Sequence, residues 1–554
     1  MKFLRGRSIL PDWKSALAAL AAAILLILAF PDFEFWFLAW IALVPLLWAV
    51  EREKGSGVKS FVLGWLFGTV FFFGTCWWLT FAPITYAAFP LALAYFLLFC
   101  VTAIVGVFPG LFAGILSILL KRYGKMAILA APFVWVLTEF LRYWLTGNNW
   151  NAIGYSQFTN DKIAGSANIG GVYLPGFTVV FLNLWLGFLV MATVYVCVRF
   201  FRRFYGNIAR VHVNESFPLV QKDYPIAVEI IRNLFVGLLI LSVISNIVAF
   251  VLQAEPEIKP RAESVGRVIA IQPNVPMAGL TYEKWKLLRQ KHVELAESAL
   301  EKLTTADRPA TTVIFPESPM NFAYEEDEEF QQFVHAFAAK HNVSVLFNSA
   351  EPDLKNKKYF NSAVLVGPEG EEIAQYDKIY LVPFGESVPA PLQSIVPAFV
   401  GSFSYGEEYD VLPLGDAKAG VMICFESHFG SLSREYVRNG ADVLIEMTND
   451  GYLGPTPVLR QHLANAVFRA VETNRPVLRV TNVGITAYIN EKGEVLDAAD
   501  PYREDTRIWS VSKSDGSQTL YVKYGDWFAW LCSLITFSLL IAVFWKKRGE
   551  GDVS

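Results

Sequence analysis

Cysteine is scarce in this 554-residue chain, and four of the five (Cys76, Cys100, Cys197 and Cys532) fall inside apolar runs. The fifth, Cys424, is alone in a soluble stretch of roughly 270 residues, 253–525. With no nearby partner it cannot belong to an internal disulfide framework, so reactivity becomes the leading reason for a thiol there. Charge is also thin: Asp, Glu, Lys and Arg make up 18% of the chain, against 54% hydrophobic and 15% aromatic residues. That excludes an ordinary soluble protein. Histidine is rare too, with no His-Glu-x-x-His pair, and His292, His335 and His341 read as helix-surface residues, which leaves metal chemistry without a ligand set. No glycine-rich phosphate loop follows a strand, and no basic patch points to nucleic acid.

What is present is apolar and comes in blocks, at 14–31, 34–50, 60–80, 89–120, 126–145, 174–198, 233–252 and 527–545. A hydrocarbon core about 30 Å thick needs about 20 apolar residues in a helix, so each block reads as a span. The first is too long, and too closely followed by the second, for a cleaved signal peptide. Lys2, Arg5, Arg7 and Lys14 precede the first block, and Arg52, Lys54 and Lys59 follow the second. Lys121, Arg122 and Lys125 follow the fourth, Arg199, Arg202, Arg203 and Arg210 the sixth, and Lys546, Lys547 and Arg548 the last. The alternate connections, near 31–34, 81–88 and 146–173, carry only Lys162. The positive-inside bias therefore puts both termini in the cytoplasm and the 253–525 insert on the outer side. The insert holds 26 basic and 38 acidic residues, a balance of −12, while the rest of the chain stands at +8.

Within the spans, Gly64/Gly68 and Gly106/Gly110/Gly114 have the small-xxx-small spacing that lets helices approach closely. Glu139 and Arg142 lie three residues apart in the fifth span, where they can pair. Ionisable groups in spans are functional suspects, and an ion pair anchoring the helix end is an equal alternative. The insert opens on the linker Glu255-Pro-Glu-Ile-Lys-Pro260 and then alternates strands and helices. Strands are expected at 267–272, 312–315, 343–347, 362–366, 419–424, 443–447 and 477–480, with helices at 282–303, 328–340, 431–438 and 460–472. Gly367-Pro-Glu-Gly370 and Asn490-Glu-Lys-Gly493 mark hairpin turns. The expectation is a membrane protein with an eight-span α-helical bundle and an α/β domain inserted between spans seven and eight. Its parts are residues 1–252, 253–525 and 526–554.

Three segments of the insert place a reactive group just past a strand: Phe315-Pro-Glu317, Tyr376-Asp-Lys378 with Gly385-Glu386 further on, and Ile423-Cys424-Phe-Glu426. Strand ends are where sites collect in α/β sheets. A thiol needs a base or a positive charge beside it to become a nucleophile. Glu317 can be the base and Lys378 the charge, and the Lys378 ammonium with the Phe425 backbone N–H can hold an oxyanion. Each residue has a bland alternative as a surface charge or a small buried hydrophobe. A Cys-His arrangement with His428 or His462 also stays open.

In order and setting, Glu317, Lys378 and Cys424 resemble the Glu-Lys-Cys triad of the nitrilase (carbon–nitrogen hydrolase) superfamily. Leu381-Val-Pro-Phe-Gly-Glu386, Thr448-Asn-Asp450, Phe468-Arg-Ala-Val-Glu472 and Thr481-Asn-Val-Gly-Ile-Thr486 match its domain pattern. With Thr138-Glu-Phe-Leu-Arg142, Gly154-Tyr-Ser-Gln157 and the eight spans, nearly the whole chain is similar to one branch, the apolipoprotein N-acyltransferase family. The resemblance implies an αββα sandwich on the periplasmic face of a bacterial inner membrane, in a multi-pass and monomeric protein. It implies transfer of the sn-1 acyl chain of a phospholipid, phosphatidylethanolamine above all. The chain would pass through a Cys424 thioester to the α-amine of the diacylglyceryl-cysteine of a lipoprotein, with no cofactor and no metal. It makes Glu386 and Glu426 supports of the triad and Trp150 an aromatic residue near the membrane-side entrance, with Asn449 and Asp450 as substrate contacts alongside Glu139 and Arg142. Gly451-Tyr-Leu-Gly454 stands where the family often has Ala-Trp-Phe-Gly, and the following 455–460 stretch is longer than usual.

Segment 387–409 is apolar for an external loop, and with Phe399 and Phe403 it reads as a lid that dips into the bilayer surface, or as a loop packed on its own domain. Two other functions compete. A membrane-anchored amidase acting on a small C–N substrate would need only one or two spans. A transporter with an external domain would need more intramembrane charges than Glu139 and Arg142.

Overall fold

In the computed structural model the described residues are 9–208, 264–278, 281–304, 310–317, 323–383, 385–388 and 403–548. The apolar blocks before residue 208 become helices: α1 (Trp13–Ala29), α2 (Val44–Glu53), α3 (Gly57–Thr75), α4 (Leu91–Val105), α5 (Val107–Tyr123), α6 (Ala131–Thr146) and α7 (Tyr173–Ile208). Gly57–Thr75 and the run Leu91–Thr146 are long and apolar enough to cross a membrane, and Trp13–Ala29, Tyr173–Leu189 and Trp527–Val543 are shorter apolar helices. The expected seventh span, 233–252, lies outside the described residues.

Block 34–50 departs from the expected span. A 3-10 turn, Trp36–Trp40, precedes α2, and ten helical residues cover only about 15 Å. Pro45 is the cause, because proline is accommodated in the first turn of a helix and breaks an interior one. The glycines of α3 and α5 do what their spacing suggests. A Cβ on Gly64 would run into the Pro109 carbonyl oxygen, and one on Gly106, at the joint of α4 and α5, would stand 2.5 Å from Thr69 Oγ1. Backbone thus meets backbone between these helices. Gly114 is different, since a Cβ there would meet nothing nearer than 3.7 Å.

Beyond residue 263 the chain builds two six-stranded sheets. The first holds β1 (Ser264–Gln272), β2 (Thr311–Ile314), β3 (Ser344–Asp353), β4 (Lys358–Val366), β5 (Glu372–Asp377) and, at its far edge beside β1, β12 (Asp505–Ser512). The second holds β6 (Val411–Leu414), β7 (Ala417–Ile423), β8 (Val443–Thr448), β9 (Val477–Thr481), β10 (Ala487–Ile489) and β11 (Val495–Leu496) in sequence order. The centres, β1-β2-β3 and β7-β8-β9, are parallel, and every other neighbour is antiparallel.

Alternation along the first sheet separates two cores. Val268, Ala270, Ile314, Leu346, Ala363 and Leu365 pack into the apolar layer shared with Val421, Ile423 and Ile445 of the second sheet. Their sequence neighbours Ile269, Ile271, Val313, Val345, Val364 and Val366 face Ala296, Ala299, Val334 and Phe337 of the covering helices α8 (Tyr282–Leu300) and α9 (Glu328–His341). Helices α10 (Gly430–Arg438) and α11 (Val458–Thr473) lie against the second sheet, which completes an αββα sandwich. The last helix, α12 (Trp527–Arg548), returns to pack on the first part through Trp530, whose ring stands 5.0 Å from Phe140.

Candidate active site

Strand β7 delivers Cys424 at the start of a 3-10 turn, Cys424–His428, with the cysteine at φ 52°, a left-handed conformation that non-glycine residues seldom adopt. Neighbouring groups hold it there. Glu426 Oε2 accepts from Ile423 N over 2.8 Å, and a His462 ring nitrogen meets the Cys424 carbonyl at 3.1 Å. Arg469 Nη1 donates to the carbonyls of Ser427 (3.0 Å) and His428 (2.9 Å). The strained turn is therefore over-determined from both sides.

The other two members arrive from the ends of β2 and β5. Glu317 Oε2 accepts from Asn449 N at 3.0 Å, and its Oε1 lies 3.8 Å from Lys378 Nζ. Lys378 is fully buried and pairs more closely with Glu386 Oε1, at 2.8 Å. Asn361 Nδ2 bridges the two carboxylates, at 2.7 Å from Glu386 and 3.3 Å from Glu317. Burial would push the Lys378 ammonium down, yet Glu386 and Glu317 outweigh it and raise its pKa, so it stays charged. Burial also works against an ionised Glu386, but Lys378 wins and holds that carboxyl below the usual range. Glu317, farther from the ammonium, is raised by burial, with Lys378 only partly offsetting it. The Cys424 thiol is pushed well up by burial and by the charge of Glu317, with Lys378 opposing. A protonated thiol beside a carboxyl of raised pKa is a nucleophile waiting for a general base.

Glu426 ties the pieces together. Its Oε1 accepts from the backbone of Ile379 (2.7 Å) and Tyr380 (3.0 Å) and from the Tyr376 hydroxyl (2.8 Å), so the segment carrying Lys378 hangs on the turn carrying Cys424. Burial raises this carboxyl to about 7. The Phe425 ring stacks on His428 at 5.7 Å.

Several expected contacts stand elsewhere. Asp450 is buried with both oxygens engaged, by His462 Nδ1 at 2.7 Å and Arg479 Nη2 at 2.8 Å. His462 also lies 3.0 Å from Glu446, which pairs with Arg479, so two carboxylates, one guanidinium and one imidazole form a closed cluster behind Cys424. Burial and Arg479 push His462 down, but Asp450 and Glu446 prevail and raise it to about 9. His428 Nε2 accepts from Asn149 N at 2.9 Å. Both histidines are thus engaged with groups other than the Cys424 thiol, which favours Glu317 over a Cys-His pair. Asn449 uses its side chain on Gly451 N and Asn482 rather than on open space.

Glu139 and Arg142 do not pair. Glu139 Oε1 accepts from Ile153 N at 2.8 Å, while Arg142 donates to the Trp150 carbonyl at 2.8 Å and to Asn149 Oδ1 at 2.9 Å. Each grips the 146–173 connection, whose free backbone groups attract a charge more strongly than the neighbouring helical turn does. His292 is likewise buried rather than on the surface, its ring tilted against Phe315 at 5.5 Å, and burial lowers its pKa to about 4. Of the proposed lid, Phe399 lies outside the described residues, and Phe403 is half-buried with its N–H on the Glu386 carbonyl at 3.4 Å. Among the described residues, no group of three or more His, Cys, Asp or Glu is placed to hold a metal.

Residues of the two parts meet along α11. Glu472 Oε1 accepts from Val172 N at 3.0 Å, and Arg460 makes a two-point pair with Glu34, at 2.5 and 2.7 Å. Tyr86 donates to the Gly451 carbonyl at 3.2 Å, and Gly454, at φ 70°, leaves no room for a Cβ against the Phe81 ring.

Two facing sheets with a thiol, a carboxyl and an ammonium at their strand ends define a carbon–nitrogen hydrolase fold, and the model of that family matches residues 267–521. A second model, the apolipoprotein N-acyltransferase N-terminal domain, matches residues 22–185. A protein named apolipoprotein N-acyltransferase from Geobacter metallireducens is 30% identical over 523 residues, covering 93% of this chain and 92% of its own. One of the same name from Thermotoga maritima is 30% identical over 537 residues, with 95% and 93% covered. The chain belongs to the apolipoprotein N-acyltransferase family.

Proposed function

We propose that this protein N-acylates lipoproteins in two half-reactions at Cys424. Glu317 takes the thiol proton as sulfur attacks the ester carbonyl of a phospholipid. Lys378 and the Phe425 N–H stabilise the tetrahedral oxyanion, and Glu317 then protonates the departing lysophospholipid oxygen. The thioester left on Cys424 is opened by the α-amine of a diacylglyceryl-cysteine, from which Glu317 removes a proton, and the thiol returns. Phosphatidylethanolamine is the proposed donor and its sn-1 chain the group transferred. The observation that carries this reading is the asymmetry of Lys378. It is locked to Glu386 at 2.8 Å but 3.8 Å from Glu317, which leaves one carboxyl free to carry protons beside the thiol.

The helical part supports a lipid-borne substrate pair, since an amidase of small soluble substrates gains nothing from a domain seated on apolar helices. We place the protein in the inner membrane, spanning it several times, with Cys424 on the periplasmic side. The bounds 1–252, 253–525 and 526–554 are the proposed division between helices and catalytic domain.

The test supplies phosphatidylethanolamine without an acceptor and looks for S-acyl Cys424 by mass spectrometry, then adds a diacylated lipopeptide. The acyl mass should appear on Cys424 and move to the peptide α-amine, and Cys424→Ala should do neither. Hydrolysis of a small amide with no acyl transfer would sink the reading in favour of an amidase.

A further inference from the structure

Gln461 makes five side-chain hydrogen bonds at the junction of the two parts. It is 3% exposed, on the second turn of α11. Its Oε1 accepts from Trp150 Nε1 (2.9 Å), Trp78 Nε1 (3.1 Å) and Asn151 Nδ2 (3.3 Å). Its Nε2 donates to the carbonyls of Thr75 (2.9 Å) and Pro31 (3.1 Å). One amide therefore closes the end of α3, the Trp77–Thr80 turn, the chain after α1 and the 149–151 loop around a single point. Both amide hydrogens are used, so the amide cannot be flipped without losing contacts on both sides.

What those contacts position lies next along the chain. His462 stands on the same helix, against the Cys424 carbonyl at 3.1 Å and in the charge cluster with Asp450 and Glu446. The Trp150 ring, anchored through its N–H, stacks on His428 at 5.4 Å and lies 5.6 Å from Trp78 and 5.9 Å from His462. His428 ends the turn that begins at Cys424. From Gln461 two short routes reach the cysteine, one through His462 and one through Trp150 and His428.

We infer that Gln461 is a positioning residue that registers the Cys424 turn against the helical part, so that the thiol and the Trp78–Trp150 wall face a lipid substrate together. This deepens the acyl-transfer reading and rests on it. The residue touches neither the thiol nor the triad and acts only through what it holds. Removing it leaves two indole N–H groups and two carbonyls without partners in a buried junction, each a costly group to strand.

The experiment measures the rate of S-acylation of Cys424 from phosphatidylethanolamine vesicles in the full-length wild type, Gln461→Leu and Gln461→Glu. Leucine should lower the acylation rate at least ~100-fold, with the loss in kcat rather than KM, because the wall and the turn lose their common anchor. Glutamate keeps the acceptor for the indoles and, while protonated, one donor. It should therefore approach wild-type rates at low pH and fall away as its carboxyl ionises, a pH profile that a merely structural residue would not impart. Wild-type kinetics in Gln461→Leu, or an unchanged pH profile in Gln461→Glu, overturns the inference. Should leucine prevent folding, the glutamate profile decides alone. Absence of S-acyl Cys424 in the wild type would instead overturn the acyl-transfer reading.

Discussion

The backbone N–H of Ile379 donates to Glu426 Oε1 over 2.7 Å, so the residue after the ammonium is tied to the residue two places beyond the thiol. Lys378 and Cys424 come from different sheets, and this bond is one of the few links that fix their relative height. Glu426 shares it with Tyr380 N, Tyr376 and Ile423 N. It is the tie between the two halves of the site.

Glu426→Gln removes one acceptor from that set, since the amide nitrogen would face Ile423 N. A stranded N–H costs about 1–3 kcal/mol, and the Lys378 segment should loosen. The expected outcome is at least a ~10-fold fall in single-turnover acylation, with donor KM nearly unchanged.

Glu317→Gln should separate thiol reactivity from acyl transfer. The charge of Glu317 is one of the forces holding the Cys424 thiol up. Without it, alkylation of Cys424 by iodoacetamide at pH 8 should speed up, while acyl transfer falls about 10²–10⁴-fold for want of a base. Parallel loss of both would argue that Glu317 merely supports the fold.

His462 makes stability depend on pH. Its pKa is about 9 in the folded protein against an ordinary 6.5, so the folded state holds an extra proton between those values. The stabilisation is complete below about 6.5 and is lost as pH rises through 9. Thermal melting of the full-length protein should therefore fall between about pH 6.5 and 9 and level off above that, and His462→Gln should flatten that fall. The drop surviving in the variant would assign it to another group.

Glu34 and Arg460 offer a charge swap. Glu34→Arg alone should weaken the junction and lower acylation, and adding Arg460→Glu should restore part of it. The pair is partly exposed, so a coupling of about 0.5–1 kcal/mol in a double-mutant cycle is expected.

Much of this site was legible because strand ends announce themselves: Glu317, Lys378 and Cys424 each follow a short apolar run. The edges were not. Strand β5 is half polar and only Tyr376 in it is fully buried, so nothing in its pattern separates it from a loop. The apolar run predicts that strand β3 ends at 347, but it runs on to Asp353, because its polar half is paired residue by residue with β4. The pattern predicts a helix over 460–472, within two residues of α11, yet its meaning is hidden. Gln461, Asn465, Arg469 and Glu472 recur on one face and would read as the side turned to water. Gln461 and Glu472 are buried because they answer Thr75, Trp78, Asn151 and Val172, which lie 300 to 386 residues away in the chain. No local pattern encodes a partner that far off. Asn361 escaped for a similar reason, since a strand-end amide does not declare which two carboxylates it will bridge.

Every residue of α11 is buried except Arg460, which is only half-covered. One side of it packs into the sandwich and the other is answered by the helical part, so this single rod belongs to both. The two parts are therefore not modular. A chimera that pairs the sheets of one relative with the helices of another would inherit half of an interlocking face, and should regain activity only when 458–473 travels with the helices it was matched to.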